Sequence, residues 1–244
     1  MSLNNFNVVL PENSKRFMSG NCDGIHITGL CGKLTMKNCD FSGLGDDALN
    51  IHSIAATVTG LDYKNGILKC NYSKKRPDVI LPPDWCQKGD TLTVLNSADC
   101  TMSGQIKVNY FKKDRISSSA VLAAQDVRLW YEVGPIKNMQ ISNNTFRKCA
   151  FSGNETENSV ITVKNSHGKI DDISFGVHEN IFVSNNTFYG KKGKLISIMS
   201  CDNLNIENNT FANCGKTEPL NAVEAIKCTD TVEQNNEFTE EKND

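Results

Sequence analysis

Ile141-Ser142-Asn143-Asn144-Thr145-Phe146 recurs as Val183-Ser184-Asn185-Asn186-Thr187-Phe188 and again as Ile206-Glu207-Asn208-Asn209-Thr210-Phe211. Looser copies are Met36-Lys37-Asn38-Cys39-Asp40-Phe41 and, with one extra residue, Val232-Glu233-Gln234-Asn235-Asn236-Glu237-Phe238. The Phe-to-Phe steps of 23 (211 − 188) and 27 (238 − 211) each fit one coil of a coiled parallel sheet. The step of 42 (188 − 146) fits two short coils, or one coil carrying a loop around Ser166–Gly176. Aliphatic and Phe positions point into a narrow core, while Asn sits at bends, where it tolerates left-handed backbone and hydrogen-bonds its neighbours. Stacked coils bury together what one coil cannot bury alone. The expectation is an all-β chain, a right-handed parallel β-helix of the pectate-lyase type. The Asn-x-Thr triplets also match glycosylation acceptors, but their place in the repeat reads as a structural turn.

Between about Ile54 and Gly134 the repeat is missing. Alternating segments take its place at Ala56–Thr59, Gly66–Cys70, Asp90–Leu95, Gly104–Val108 and Val127–Tyr131, punctuated by turn residues such as Lys64-Asn65-Gly66 and Pro82-Pro83-Asp84. This predicts a small antiparallel β-barrel or sheet inserted between two rungs, with Pro135-Ile136 as the return. The expected organisation is β-helix coils over 1–53, the insertion over 54–134, and further coils over 135–244, ending in a charged, fraying tail.

The 244 residues suffice for a large core, and 26 basic against 28 acidic residues, a net charge of −2, make no electrostatic case for nucleic acid or an anionic membrane. No apolar run approaches the roughly 20 residues that span a bilayer, and Met1–Asn5 has no secretory signature. Of the ten cysteines, Cys149 and Cys214 each follow a repeat Phe by three residues, and Cys201 and Cys228 share another repeat position. Such recurrence reads as mostly free, buried thiols acting as small hydrophobes, and no Cys-x-x-Cys pair points to zinc or redox chemistry.

A second repeat carries chemistry. Asp23-Gly24-Ile25-His26-Ile27 and Asp47-Ala48-Leu49-Asn50-Ile51 are the same phrase at an offset of 24 (47 − 23), and Asp46 adjoins the second copy. On neighbouring rungs, Asp23 and Asp47 would stack about 4.8 Å apart. Three crowded carboxylates resist joint ionisation, which suits acid/base work on a sugar: glycoside hydrolysis needs a proton donor and either a nucleophile or a base-activated water. By strand alternation Leu49 and Ile51 face inward, and Ala48, Asn50 and His52 face outward with Asp46. His26 is the positional partner of Asn50.

Cys22-Asp23-Gly24-Ile25 followed by Gly45-Asp46-Asp47-Ala48-Leu49-Asn50-Ile51-His52 resembles the catalytic strands of parallel β-helix glycosidases. The general layout is similar to the polygalacturonases of glycoside hydrolase family 28. The Asn50-Ile51-His52 ending and the β-rich insertion after it look more like family 110, the exo-acting α-1,3-galactosidases. That resemblance implies inversion without a metal or other cofactor, with Asp46 as general acid and Asp23 and Asp47 as the pair that positions and deprotonates water. It implies a galactose-containing glycan as partner, with His26, Asn50, His52 and Arg147 as candidate substrate-binding residues. It also implies an extracellular or periplasmic setting for the full-length protein. That family carries many coils before the catalytic rungs, where this chain has at most one, so a truncated or shortened relative is expected. After the first returning Asn-Asn motif stands only Arg147-Lys148-Cys149-Ala150, so the sugar-binding shell is expected to differ.

Blander readings stand beside this one. Gly-Asp-Asp is ordinary turn chemistry, although like charges stacked across rungs cost stability. Clustered carboxylates could hold calcium, as in polysaccharide lyases, but a lyase also needs a Lys or Arg base that these rungs do not supply. Trp85, Trp130 and Tyr131 could stack on sugars but more simply close the insertion's own core. Ser166-His167-Gly168, a superficial polygalacturonase match, lies 120 residues (167 − 47) beyond Asp47 and is read as chance. The competing class is a non-catalytic β-helix module of the carbohydrate-binding, adhesin or phage-tail kind.

Overall fold

The computed structural model describes residues 1–28, 32–52, 57–71, 88–95, 102–110, 136–150, 159–163, 176–190, 193–214 and 222–240. Among them every regular element is a strand. Three parallel sheets run the length of the molecule. The first joins Ser2–Asn4, Leu34–Lys37, Lys137–Ser142, His178–Ser184, Cys201–Glu207 and Thr229–Gln234. The second joins Asn7–Val8, Asp40–Ser42, Thr145–Arg147, Thr187–Tyr189, Thr210–Ala212 and Glu237–Thr239. The third joins Ile25–Thr28, Leu49–His52, Ile161–Val163, Ile196–Met199 and Val223–Ile226. The chain visits the sheets in turn, which makes the molecule a parallel β-helix.

The repeat builds the first corner. Its leading Asn takes left-handed backbone at Asn143 (φ 57°), Asn185 (φ 56°) and Asn208 (φ 55°), a conformation this residue tolerates better than most. Its second Asn turns inward and forms a ladder: Asn144 Nδ2 donates to Asn186 Oδ1 at 2.9 Å, Asn186 Nδ2 to Asn209 Oδ1 at 3.0 Å, and Asn209 Nδ2 to Asn236 Oδ1 at 3.0 Å. In the looser copy the ladder ends on backbone, with Cys39 N donating to Asn144 Oδ1 at 3.0 Å. The repeat phenylalanines stack behind it, with centroids 5.5 Å apart for Phe41–Phe146, 4.9 Å for Phe146–Phe188, 5.4 Å for Phe188–Phe211 and 5.0 Å for Phe211–Phe238.

Register decides the step of 42. Phe146 pairs directly with Phe188, so one coil carries a loop. Phe41 likewise pairs directly with Phe146, so the chain between Leu49–His52 of the third sheet and Lys137–Ser142 of the first adds no further rung. In that excursion two antiparallel hairpins are described, Thr57–Asp62 with Ile67–Asn71 and Thr91–Leu95 with Met102–Lys107. Gly66 takes the left-handed backbone of the first turn (φ 62°), where Asp62 Oδ1 accepts from the Lys64 and Asn65 amides at 3.1 Å. Trp85, the Val127–Tyr131 segment with Trp130, Pro135, Ser166-His167-Gly168 and residues 241–244 lie outside the described residues.

Cys39, Cys149, Cys201 and Cys214 are buried thiols, Cys228 is half-buried and Cys22 exposed. Burial pushes the Cys149 and Cys201 thiols up to about 12, which leaves them unreactive.

Candidate active site

The candidate site forms at the corner that leads into the third sheet, where two successive turns press together. Gly45 N donates to Gly20 O at 2.9 Å, Gly24 N to Asp47 O at 2.9 Å, and Ile25 N to Ala48 O at 3.1 Å. Neither glycine leaves room for a side chain. A Cβ on Gly45 would lie 2.8 Å from the Asn21 carbonyl oxygen, and one on Gly24 would lie 2.9 Å from the Ala48 oxygen and 2.7 Å from Leu44 Cδ1. The turn is tightened further by Asp46, whose Oδ1 accepts the Asp47 amide at 3.0 Å.

This close approach gathers the three predicted carboxylates. Asp23, Asp46 and Asp47 each offer an oxygen, and these lie within 4.8 Å of one another. All three residues are half-buried, so water and a ligand reach them. Three hard oxygen donors so close would also suit a divalent cation. His26 stands over Asp23 with Nδ1 3.4 Å from Oδ2, and its side chain is 46% exposed against 14% for Asp23. Asn50 lies beside His26 in register on the next strand, as the shared phrase required.

One expectation changes. Ala48 does not face outward; it is fully buried. The strand begins only at Leu49, so two-residue alternation does not reach Ala48, which closes the turn with its amide on Val160 O at 3.2 Å. Arg147 is held elsewhere: both its bonds to Asp40, at 2.6 and 2.7 Å, and its position 5.2 Å over the Tyr189 ring lie on the second sheet. It is not among the residues gathered with the three carboxylates. His52 pairs with Thr28 in the strand register, and its side chain lies outside the described residues.

The same two columns of residues continue past the aspartates. The Asp23/Asp47 position leads to Ser159 and Lys194, through the ladder in which Ala48 N donates to Val160 O and Val160 N to Leu195 O. The His26/Asn50 position leads to Thr162, Ser197 and Glu224 by strand register. Sequence reasoning missed these residues. The inner positions Ile25, Leu49, Ile161, Ile196 and Val223 are the signal that would have aligned them.

No family model matches the chain. It is similar to curated proteins named alpha-1,3-galactosidase. It is 24% identical to the B protein of Bacteroides thetaiotaomicron, over 86% of this chain and 44% of that one. It is 24% identical to an A protein of Bacteroides fragilis, over 81% and 42%, and 23% identical to the B protein of Akkermansia muciniphila, over 83% and 33%. The similarity therefore extends over most of the chain. The chain spans less than half the length of these relatives.

Proposed function

We propose that this chain carries the catalytic rungs of a glycosidase that releases a terminal α-linked galactose by direct attack of water, with inversion. The observation that carries the reading is the convergence of Asp23, Asp46 and Asp47 within 4.8 Å, in a chain similar to α-1,3-galactosidases. Hydrolysis requires a proton for the departing oxygen and a base for the attacking water. Asp46 is assigned the first task. Asp23 and Asp47, in the same position on adjacent rungs, form a two-carboxylate cradle that can orient one water and take its proton.

The spacing is shorter than the roughly 6.5–9.5 Å of most inverting pairs and the roughly 5–5.5 Å of retaining ones. A carboxylate beside the acid cannot reach the far face of the sugar to form a covalent bond, whereas a water held by the cradle extends its reach. His26, Asn50 and His52 are assigned to the galactose hydroxyls. Terminal galactose on a glycan is met outside the cytoplasm, so the proposal places the full-length protein in the periplasm or beyond the cell.

Proton NMR of the wild-type protein acting on Gal-α1,3-Gal-β1,4-GlcNAc tests this. β-Galactose should appear first and then mutarotate. α-Galactose appearing first would contradict inversion. Sugar binding without any release would make the chain a non-catalytic β-helix carbohydrate-binding module.

A further inference from the structure

The two columns that pass through the aspartates lead to a second polar group on the same sheet. Lys194 occupies the corner position of Asp23 and Asp47, two rungs beyond Asp47. Glu224 occupies the outward position of His26 and Asn50, three rungs beyond Asn50. The two meet: Lys194 Nζ lies 2.5 Å from Glu224 Oε1, and Ser197 Oγ donates to Glu224 Oε2 at 2.7 Å. At about 4.8 Å per rung, this group stands about 10–14 Å along the helix axis from the carboxylates. A glycan laid along the helix axis toward these later rungs would bring the one or two sugars after the cleaved one level with it.

We infer that Lys194 and Glu224, the carboxylate held from beneath by the buried Ser197, form a saccharide subsite that reads the hydroxyls of the second or third sugar of the glycan. This rests on the galactosidase reading and adds to it the part of the substrate on the far side of the scissile bond. Three observations support it. The group lies on the same face as the catalytic corner, by unbroken strand register. Its carboxylate is oriented at both oxygens, with the Lys194 side chain 35% and the Glu224 side chain 22% exposed. An oriented acceptor beside an ammonium with three donors matches the paired donor and acceptor of sugar hydroxyls. Between the two groups, Ser159 carries a buried Oγ with no hydrogen-bond partner among the described residues.

Equilibrium binding to the Asp46→Asn protein, followed by NMR titration, tests the inference without turnover. The probes are methyl α-galactoside and the trisaccharide Gal-α1,3-Gal-β1,4-GlcNAc. The trisaccharide should bind about tenfold tighter or more, as expected for charge-assisted hydrogen bonds to the added sugars. Adding Glu224→Gln or Lys194→Met should remove most of that margin. If the galactoside binds and the trisaccharide gains nothing, or if the margin survives both substitutions, the subsite is wrong and the galactosidase reading stands. If neither sugar binds, both fall.

Discussion

Asp23 and Asp47 occupy one position on two adjacent rungs, tied by the hydrogen bond from Gly24 N to Asp47 O at 2.9 Å. Their carboxylates share a 4.8 Å neighbourhood with that of Asp46. Like charges facing each other across a sheet cost stability, so the arrangement sets function against folding. Asp23→Asn should abolish most turnover, by about 10²-fold or more. It should also leave the fold as stable or raise stability by about 0.5–1 kcal/mol. Parallel urea melts and rate measurements check both signs; a variant that is destabilised and still active would reverse the account.

Gly45 sets the approach of the two turns. A methyl group 2.8 Å from the Asn21 carbonyl oxygen must push the Asp46-Asp47 turn away from the Asp23 turn. Gly45→Ala should therefore lower kcat by about 10²-fold, the cost of misplacing a reacting group by about 1 Å. A folded protein with near wild-type kcat would mean that the corner tolerates separation.

The ladder should bear most of the corner's stability. Asn186 makes four side-chain hydrogen bonds, accepting from Asn144 N and Nδ2 and donating from Nδ2 to Ile141 O and to Asn209 Oδ1. Asn186→Ala should cost about 2–4 kcal/mol in urea denaturation, through lost bonds and stranded partners. Asn185 contributes left-handed backbone (φ 56°), which glycine adopts freely, so Asn185→Gly should cost less than about 1 kcal/mol. Equal costs at the two positions would contradict this division.

The fold was legible because the Asn-Asn-x-Phe repeat states both of its requirements at each corner, a left-handed bend and a buried amide. The carboxylate pair was legible for the same reason, since Asp23 and Asp47 sit in one repeated phrase. Outward residues carry no such repetition. Glu224 shares a column with His26, and Lys194 with Asp47, yet nothing in residue type links them; only the inner aliphatic positions fix the alignment. The partner of Arg147, Asp40, lies 107 residues away in sequence, beyond any local pattern. Ala48 misled because alternation was carried one residue beyond the strand.

His178 gives the fold a pH dependence. Complete burial holds its imidazole neutral, lowering its pKa to about 3 from an ordinary 6.5. Its Nδ1 accepts from Ile136 N at 3.1 Å, and Nε2 has no partner among the described residues. The unfolded chain takes up a proton below about pH 6.5, while the folded chain does so only near pH 3. The stabilisation is therefore full above pH 6.5 and is lost as pH falls from there toward 3, by up to about 1.4 kcal/mol per unit. His178→Gln keeps an acceptor for Ile136 and should flatten the dependence of the urea midpoint between about pH 6.5 and 5, above the range where ordinary carboxylates titrate. An unchanged slope would show that this imidazole is not the cause.

The central claim is that Asp46 delivers the proton that lets galactose leave. It is tested most directly by kcat/KM on Gal-α1,3-Gal-β1,4-GlcNAc, with EDTA present, for the wild type and for Asp46→Asn. The account predicts galactose release by the wild type under these conditions and a loss of about 10²–10⁴-fold in the variant, the usual span of general acid catalysis. Wild-type rates in Asp46→Asn would contradict it.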